Sequence, residues 1–413
     1  MRILMVGRGV VPLRAGGGGA ELVAYQLGKA LALDGHEVVL VADVDEDEFP
    51  GGGGLTIEPL GSRALRVAQR LQGGFPRWVL QHLIANLAAA RVAHRLLSAG
   101  ERFDVIHTHG NLATTLIARR TRLPVLYTEH DATPWSCRYR HWWERLVRRA
   151  IYRSLNVVAY RRAERVVAIF EPLRAELVQR FSLAPAKVAT ILNGTDIDVF
   201  SDERATVAAV RDRIAFPRYC LFVGQLTSRK APDLLLRAIA DVEEMSCVFA
   251  GDGPMRRKLE VLARDLGIEQ RVVFLGSVPA AELGALYAGA DFLILPSVSE
   301  GTPLVVLEAM ACGIPVLATR VAGLPFLVQD WETGFVVKPG DVGQLAMGMR
   351  FLHGDDALRG RMGATARGRA RQSFPWPLVA RRYAAIYEQV SLESAVEAFE
   401  PIELQDAVPI LQA

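Results

Sequence analysis

A chain of 413 residues exceeds what one hydrophobic core usually serves, and two domains are the expectation. With 51% hydrophobic and 23% charged residues it can fill large cores, which excludes wholesale disorder. Lys and Arg total 48 against 45 Asp and Glu, a net charge of +3; the balance is too even for a dedicated nucleic-acid binder, and no nucleic-acid partner is expected.

The opening MRILMVGRGVVP runs straight into a strand-like segment, so no signal peptide is read. Ile3–Val6, Glu37–Ala42, Asp104–His107, Pro124–Thr128 and Arg165–Ile169 read as buried strands, with helical spacing between them, as in Ala20–Leu33. The apolar stretch 83–97 is broken by Asn86, Arg91 and His94, and no stretch reaches the ~18 apolar residues of a spanning helix. A polar stretch, Asp196–Pro217, marks the domain boundary. Beyond it the grammar repeats, with strands at Tyr219–Val223, Cys247–Ala250, Arg271–Leu275, Phe292–Leu295 and Pro315–Ala318. Such alternation argues for two doubly wound parallel α/β sheets, whose ligands bind beyond the carboxyl ends of the strands. Cys137, Cys220, Cys247 and Cys312 are scattered with no CxxC pair, which speaks against a disulfide scaffold or zinc ribbon and for a reduced, cytoplasmic setting.

The densest chemistry lies in Ser299–Gly313, after the strand Phe292–Pro296. A helix is expected to open at Pro303, placing amides near Gly301, Thr302 and Leu304 at its positive end, where a diphosphate would sit. Glu300 and Glu308 stand too far apart to share a proton, and read better as two separate acceptors for sugar hydroxyls. A surface cap plus a helix salt bridge is the plain alternative. Gly16 to Gly19 permit close approach of backbone to ligand. His130 ends a strand in Tyr127-Thr128-Glu129-His130-Asp131, and strand alternation puts His107 and His109 on one face. With no third ligand evident, these histidines do not make a zinc site. Gly7-Arg8-Gly9 lacks the third glycine of a dinucleotide fingerprint, and Asp43-Val44-Asp45 reads as a solvated acidic loop rather than a metal motif.

The stretch SEGTPLVVLEAMACGIPVLAT resembles the E-x7-E signature of the retaining GT-B glycosyltransferases known as glycosyltransferase family 4, the glycogen-synthase-like group. Gly18-Gly19-Ala20-Glu21 resembles that family's first glycine loop, and Asn193-Gly194-Thr195-Asp196 its turn before the linker. Phe222 through Lys230 resembles its phosphate loop and Gly251-Asp252-Gly253-Pro254 its GDGP turn. The resemblance runs to about Val390. It implies a GT-B fold with an interdomain cleft: residues 1–200 on the acceptor side, 201–375 binding the nucleotide sugar, and 376–390 as a helix returning to the first domain. Ser391–Ala413 lies outside the resemblance and is acidic, and is expected to form a mobile tail or to pack loosely on the basic face.

By the same resemblance the chain moves a sugar from a nucleoside-diphosphate sugar to an acceptor hydroxyl with retention, needing neither metal nor cofactor. Glu308 would hold the ribose and Glu300 the donor-sugar hydroxyls, while Lys230 would neutralise the departing diphosphate. His130 would stand beside the reacting sugar. Gly18, Gly19, Gly224, Gln225, Arg229, Gly276, Val278, Gly301, Thr302, Pro303 and Leu304 complete the donor side; Glu21 and His109 join His130 on the acceptor side. Two positions depart from the family pattern: Gln225 stands where Arg is common and Phe326 where Glu is. Gln donates a hydrogen bond but brings no charge, and Arg229 is the nearest substitute. Two other readings stay open, a nucleotide-sugar 2-epimerase of the same fold and a non-catalytic sugar-nucleotide sensor.

Nine arginines crowd the region Arg138–Arg165 beside Trp142, Trp143, Leu146 and Ile151, and Arg63–Arg102 adds seven more against Glu101 alone. An ordinary surface helix and an anionic-membrane contact are the two readings of this face, the latter with a lipid-linked acceptor.

Overall fold

The structure, a computed structural model, describes residues 1–7, 19–43, 50–60, 75–130, 153–201, 213–214 and 216–399. Seven strands form the first sheet: β1 (Arg2–Val6), β2 (Glu37–Ala42), β3 (Leu55–Pro59), β4 (Val105–Thr108), β5 (Val125–Glu129), β6 (Arg165–Ala168) and β7 (Val188–Thr190). Their order is β3-β2-β1-β4-β5-β6-β7, and every pairing is parallel. Six strands form the second: β8 (Cys220–Val223), β9 (Cys247–Ala250), β10 (Val272–Gly276), β11 (Phe292–Leu295), β12 (Val316–Thr319) and β13 (Gly334–Val337), ordered β10-β9-β8-β11-β12-β13 and again parallel. In each sheet the order reverses beside the first strand, leaving a crevice at the carboxyl ends of β1 and β4 and of β8 and β11.

The period of two decides which face each residue covers. In β1, Leu4 and Val6 pack with Ala85, Ala89 and Ala93 of the helix Phe75–Ser98, while Ile3 and Met5 pack with the helix Gly19–Leu33. In β8, Phe222 meets Leu235 and Ile239 on one side, and Leu221 and Val223 meet Val306 and Met310 on the other. Both faces of both sheets are therefore apolar, as all-parallel sheets require.

The two halves are stitched by the chain's last described helix, Trp376–Phe399. Trp376, Val379, Ala380, Tyr383, Tyr387 and Val390 recur at helical spacing and are buried in the first domain's core, against the helix Gly19–Leu33. Its entry is pinned where Thr195 donates its amide to the Phe374 carbonyl at 2.8 Å. A Cβ on Gly194 would lie 2.7 Å from the Trp376 ring, so only glycine lets the two linkers cross. The helix runs past Val390, where the closing helix was expected to stop, to Phe399. Arg165 clamps Glu393 through two hydrogen bonds of 2.8 and 2.9 Å, and Gln389 reaches the same carboxylate one turn earlier. Residues 400–413 lie outside the described residues.

Candidate functional site

The loop after β8 turns at Gly224, whose φ of 143° is left-handed territory. Gly251, at φ 146°, backs onto it so closely that a Cβ there would sit 2.0 Å from the Gly224 carbonyl oxygen. No side chain fits, so the phosphate-type loop and the Gly251–Pro254 turn pack backbone to backbone. The Leu226 amide donates to Asp252 O and the Gly251 amide to Gly276 O, at 2.9 and 2.7 Å. Gln225 is exposed. Lys230, by contrast, is buried, and its Nζ lies 2.7 Å from Oε1 of Glu300.

Glu300 is held on three sides. Ser297 donates its hydroxyl to the same Oε1 at 2.6 Å, and Arg229 Nη1 stands 3.5 Å from Oε2. Arg229 also donates to the Ser299 carbonyl. Lys230, Arg229 and Glu300, placed by sequence on two loops, are thus one cluster. Gly301 follows at the contact between domains: a Cβ on it would come within 2.9 Å of Ile169 Cδ1 and 3.0 Å of the His130 carbonyl. Asn193 secures the neighbouring residue, donating to Thr302 O at 2.9 Å, and the Thr302 hydroxyl is buried without a hydrogen-bond partner.

The helix here is Leu304–Cys312, with Pro303 as its cap in extended conformation, so the expectation of Pro303 inside the first turn shifts by one residue. The geometric benefit survives, since the helix's positive end still opens onto the Glu300 loop. Glu308 points elsewhere in the same domain. Tyr287 donates its hydroxyl to Glu308 Oε2 at 2.7 Å inside an apolar surround. Burial pushes the Glu308 carboxyl up to about 7, a rise that the Tyr287 hydrogen bond opposes without cancelling. Gly276 ends β10 at φ 76°, and Val278 is buried beyond it. Phe326 is 40% exposed in the short helix Leu324–Leu327, and its carbonyl takes a bond from Arg369.

On the opposite domain, Gly19 opens the helix Gly19–Leu33 and Glu21 lies buried in its first turn; Gly18 lies outside the described residues. His109 and His130 leave the carboxyl ends of β4 and β5, and His109 Nδ1 meets His130 Nε2 at 2.7 Å. His107 is taken up by structure. Its Nε2 pairs with Thr128 Oγ1 and its Nδ1 with the Tyr387 hydroxyl, at 2.8 and 2.7 Å, and burial takes its pKa down to about 3. The basic region Arg138–Arg165 lies outside the described residues up to 152; within it, Arg165 is engaged with Glu393.

Three residues escaped sequence reasoning: Ser297, Tyr287 and Tyr387. Tyr287 carried a signal, a phenol in the otherwise apolar turn Leu286–Ala290, where a buried hydroxyl needs a partner. Ser297 lies one turn of chain before Glu300. Nothing near Tyr387 in sequence points to a histidine 280 residues away.

Known proteins give the setting. The family described as Glycosyltransferase Family 4 matches residues 17–199, and that described as Glycosyl transferases group 1 matches residues 211–369. The D-inositol 3-phosphate glycosyltransferase of Corynebacterium kroppenstedtii is 35% identical over 243 residues, which is 55% of this chain and 53% of that protein. The chain thus spans about half the length of the curated relatives it matches. Sucrose-phosphate synthase from Thermosynechococcus elongatus superposes with a TM-score of 0.78 at 24% identity, over 95% of this chain and 99% of that one. Anabaena HepE, solved in complex with UDP-glucose, gives 0.72 at 21% identity, over 94% and 100%. At these identities the superpositions speak for the fold. With two sequence families matched in tandem on that fold, the chain belongs to the GT-B glycosyltransferases of the family 4 type.

Proposed function

We propose that the chain is a retaining, metal-independent glycosyltransferase that passes a sugar from a nucleoside-diphosphate sugar, UDP-linked in the first instance, to an acceptor hydroxyl. The observation that carries this reading is the buried Lys230–Glu300 pair at 2.7 Å, where the phosphate-type loop meets the Glu300 loop beside the other domain's His130. As the donor's C1–O bond breaks, its electron pair goes to the diphosphate oxygen, and Lys230 stands where that charge grows. Arg229 adds the second cation that Gln225 lacks. The acceptor oxygen bonds to C1 on the face the diphosphate leaves, and its proton passes to the departing phosphate oxygen. Glu300 takes donor-sugar hydroxyls, Glu308 takes the ribose, and closure of the two domains excludes water. Anabaena HepE with UDP-glucose and the inositol 3-phosphate named for the relatives choose the first substrates to test.

With UDP-, GDP- and ADP-glucose in turn and D-inositol 3-phosphate as acceptor, one donor series is expected to raise the unfolding midpoint by mass action. That series should release its diphosphate at a rate unchanged by excess EDTA, and the product anomer, read by proton NMR, should match the donor's. An inverted product, or a rate abolished by EDTA, overturns the mechanism. A midpoint shift without turnover favours the sensor.

A second reading concerns the acceptor's setting. On the helix Phe75–Ser98, Leu80, Leu83 and Leu87 are 41%, 39% and 40% exposed and follow one another at helical spacing. Between Gly61 and Gly100 the sequence has six arginines and no acidic residue. An apolar stripe in a purely basic stretch suits an anionic bilayer and hence a lipid-linked acceptor; no helix among the described residues is long and apolar enough to cross one. Full-length protein should sediment with phosphatidylglycerol vesicles at low salt and not with phosphatidylcholine alone. Leu83→Glu with Leu87→Glu should weaken that binding, and equal sedimentation of parent and variant sinks the idea.

A further inference from the structure

The phosphate-type loop at Gly224 has two neighbours along the carboxyl edge of its sheet. Gly251, just beyond β9, packs on Gly224, and its amide donates to Gly276 O at 2.7 Å, so Gly276 closes the row at the end of β10. Two strand spacings put Gly276 about 10 Å from the phosphate loop, within reach of the base of a nucleotide held there by its diphosphate. At φ 76° Gly276 faces open space. Beyond its chain neighbours, a Cβ built on it would meet one atom among the described residues, Nη1 of Arg256 at 4.0 Å.

Arg256 opens the helix Arg256–Asp265, and its amide donates to Gly253 O at 3.0 Å, tying it to the turn under the phosphate loop. Its guanidinium is fixed at two corners. Nε donates to Glu260 Oε1 at 2.5 Å and Nη2 to Phe274 O at 3.0 Å, while the guanidinium carbon lies 5.1 Å from the Phe274 ring centroid. Nη1 makes no hydrogen bond among the described residues, so its two N–H groups are left for the space at Gly276. The position runs against the helix. Arg256, Arg257 and Lys258 fill a first turn that has no acidic residue, where the macrodipole favours carboxylates. Arg256 also precedes Glu260, the weaker order of an i,i+4 pair. A cation kept where the helix disfavours it has its use outside the helix.

We infer that Arg256 is a specificity-determining residue for the donor's base, its Nη1 donating to a ring carbonyl oxygen, so that the site takes a keto base, uracil or guanine, in preference to adenine. A keto oxygen brings an acceptor to a donor already in place, and a guanidinium held at two corners gives up little freedom in meeting it. Adenine turns an amino group to the same spot, donor against donor, and both lose water without gaining a bond. The inference rests on the donor reading under Proposed function, with Gly276 and Val278 on the donor side, and extends it to the base.

Calorimetric titration of the full chain with UDP, GDP and ADP tests it. The parent should bind UDP or GDP at least ~10-fold tighter than ADP, and the two keto arms show which base is taken. Arg256→Met keeps the length of the side chain without its donors. It should weaken the keto nucleotide ~10–100-fold and leave ADP within about threefold. With the matching nucleotide sugar it should raise KM by the same factor at unchanged kcat, because the base is held alike in ground and transition states. Arg256→Lys keeps the charge and loses the fixed plane, so it should recover little of the preference. A parent that favours ADP or does not discriminate overturns the inference. So does Arg256→Met if it loses nothing, or loses equally for all three nucleotides as a general phosphate cation or a structural tie would. In each of those cases turnover in the parent leaves the glycosyltransferase reading standing. A parent that binds none of the three removes the donor reading, and the inference with it. Should Arg256→Met fail to fold, 4-thio-UDP and 6-thio-GDP against the parent decide: sulfur is the poorer acceptor and should bind ~10-fold more weakly than oxygen, and equal binding overturns the inference.

Discussion

Lys230→Ala is expected to lower kcat by ~10²–10³-fold, the loss that follows removal of one preorganised charge-stabilising group. The ammonium is buried against Glu300, so it needs no reorganisation when the leaving diphosphate gains charge. The same burial means that the variant also strands a carboxylate, leaving Glu300 with Ser297 and the more distant Arg229. Breaking a buried pair from one side costs about 3–5 kcal/mol of stability. Adding Glu300→Gln to Lys230→Ala should therefore recover much of the lost unfolding midpoint while leaving kcat no better. Lys230→Arg should not restore the rate. A longer, planar guanidinium cannot take the place of the compact ammonium that sits 2.7 Å from Glu300 Oε1 without displacing it. Steady-state kinetics with calorimetric melting of the three variants checks this; a kcat within threefold of the parent in Lys230→Ala would place the leaving-group charge elsewhere.

Glu308 gives the second large effect, and its sign depends on pH. Folding raises its pKa from 4.5 to about 7, so between those values the folded chain holds a proton that the unfolded chain has lost. Stability from this group is full below pH 4.5 and falls as pH rises to about 7, by about 3 kcal/mol in all. Donor affinity runs the opposite way, because an ionised carboxylate is the better acceptor for ribose hydroxyls; it should strengthen up to about pH 7 and then level off. Glu308→Gln keeps the shape and removes the ionisation. Without nucleotide it should melt above the parent at pH 8 and level with it near pH 4.5, and nucleotide should no longer stabilise it appreciably. Melting curves with and without UDP across that range decide the matter. A parent that gains stability over Glu308→Gln as pH rises would contradict the assigned burial cost.

The central strands were legible because a parallel strand buried on both faces reads as an unbroken apolar run, as ILMV and EVVLVA do. The three strands missed, β3, β7 and β13, all lie at sheet edges. There one side of the ladder is open: β3 exposes Thr56 and Pro59 and β7 has three residues, so the signal thins, while β13, although fully buried, is only four residues long and begins on a glycine. The site divides the same way. Glu300 and Glu308 stood out as carboxylates around an expected helix start, while Gly224 and Lys230 were singled out through the family resemblance; the structure brings Lys230 and Glu300 together. Tyr287 and Tyr387 reach the carboxylate and the histidine from other elements, and long-range partners leave no local trace. The packing of His109 on His130 was half visible: alternation on β4 put His107 and His109 on one face, and only the fold brings β5 alongside.

The burial of Trp376–Val390 in the first domain also sets a clock on synthesis. Tyr387 bonds His107 across 280 residues, and Tyr383 bonds Thr128 across 255. At ~5–20 residues per second, the first sheet waits on the order of tens of seconds after leaving the ribosome before the helix that covers its apolar face exists. During that interval Val23, Leu27 and Leu31 lie uncovered on one side, a binding surface for chaperones and a hazard for aggregation. A nascent chain cut short between Thr190 and Trp376 keeps every strand of the first sheet and still lacks the last part of its core.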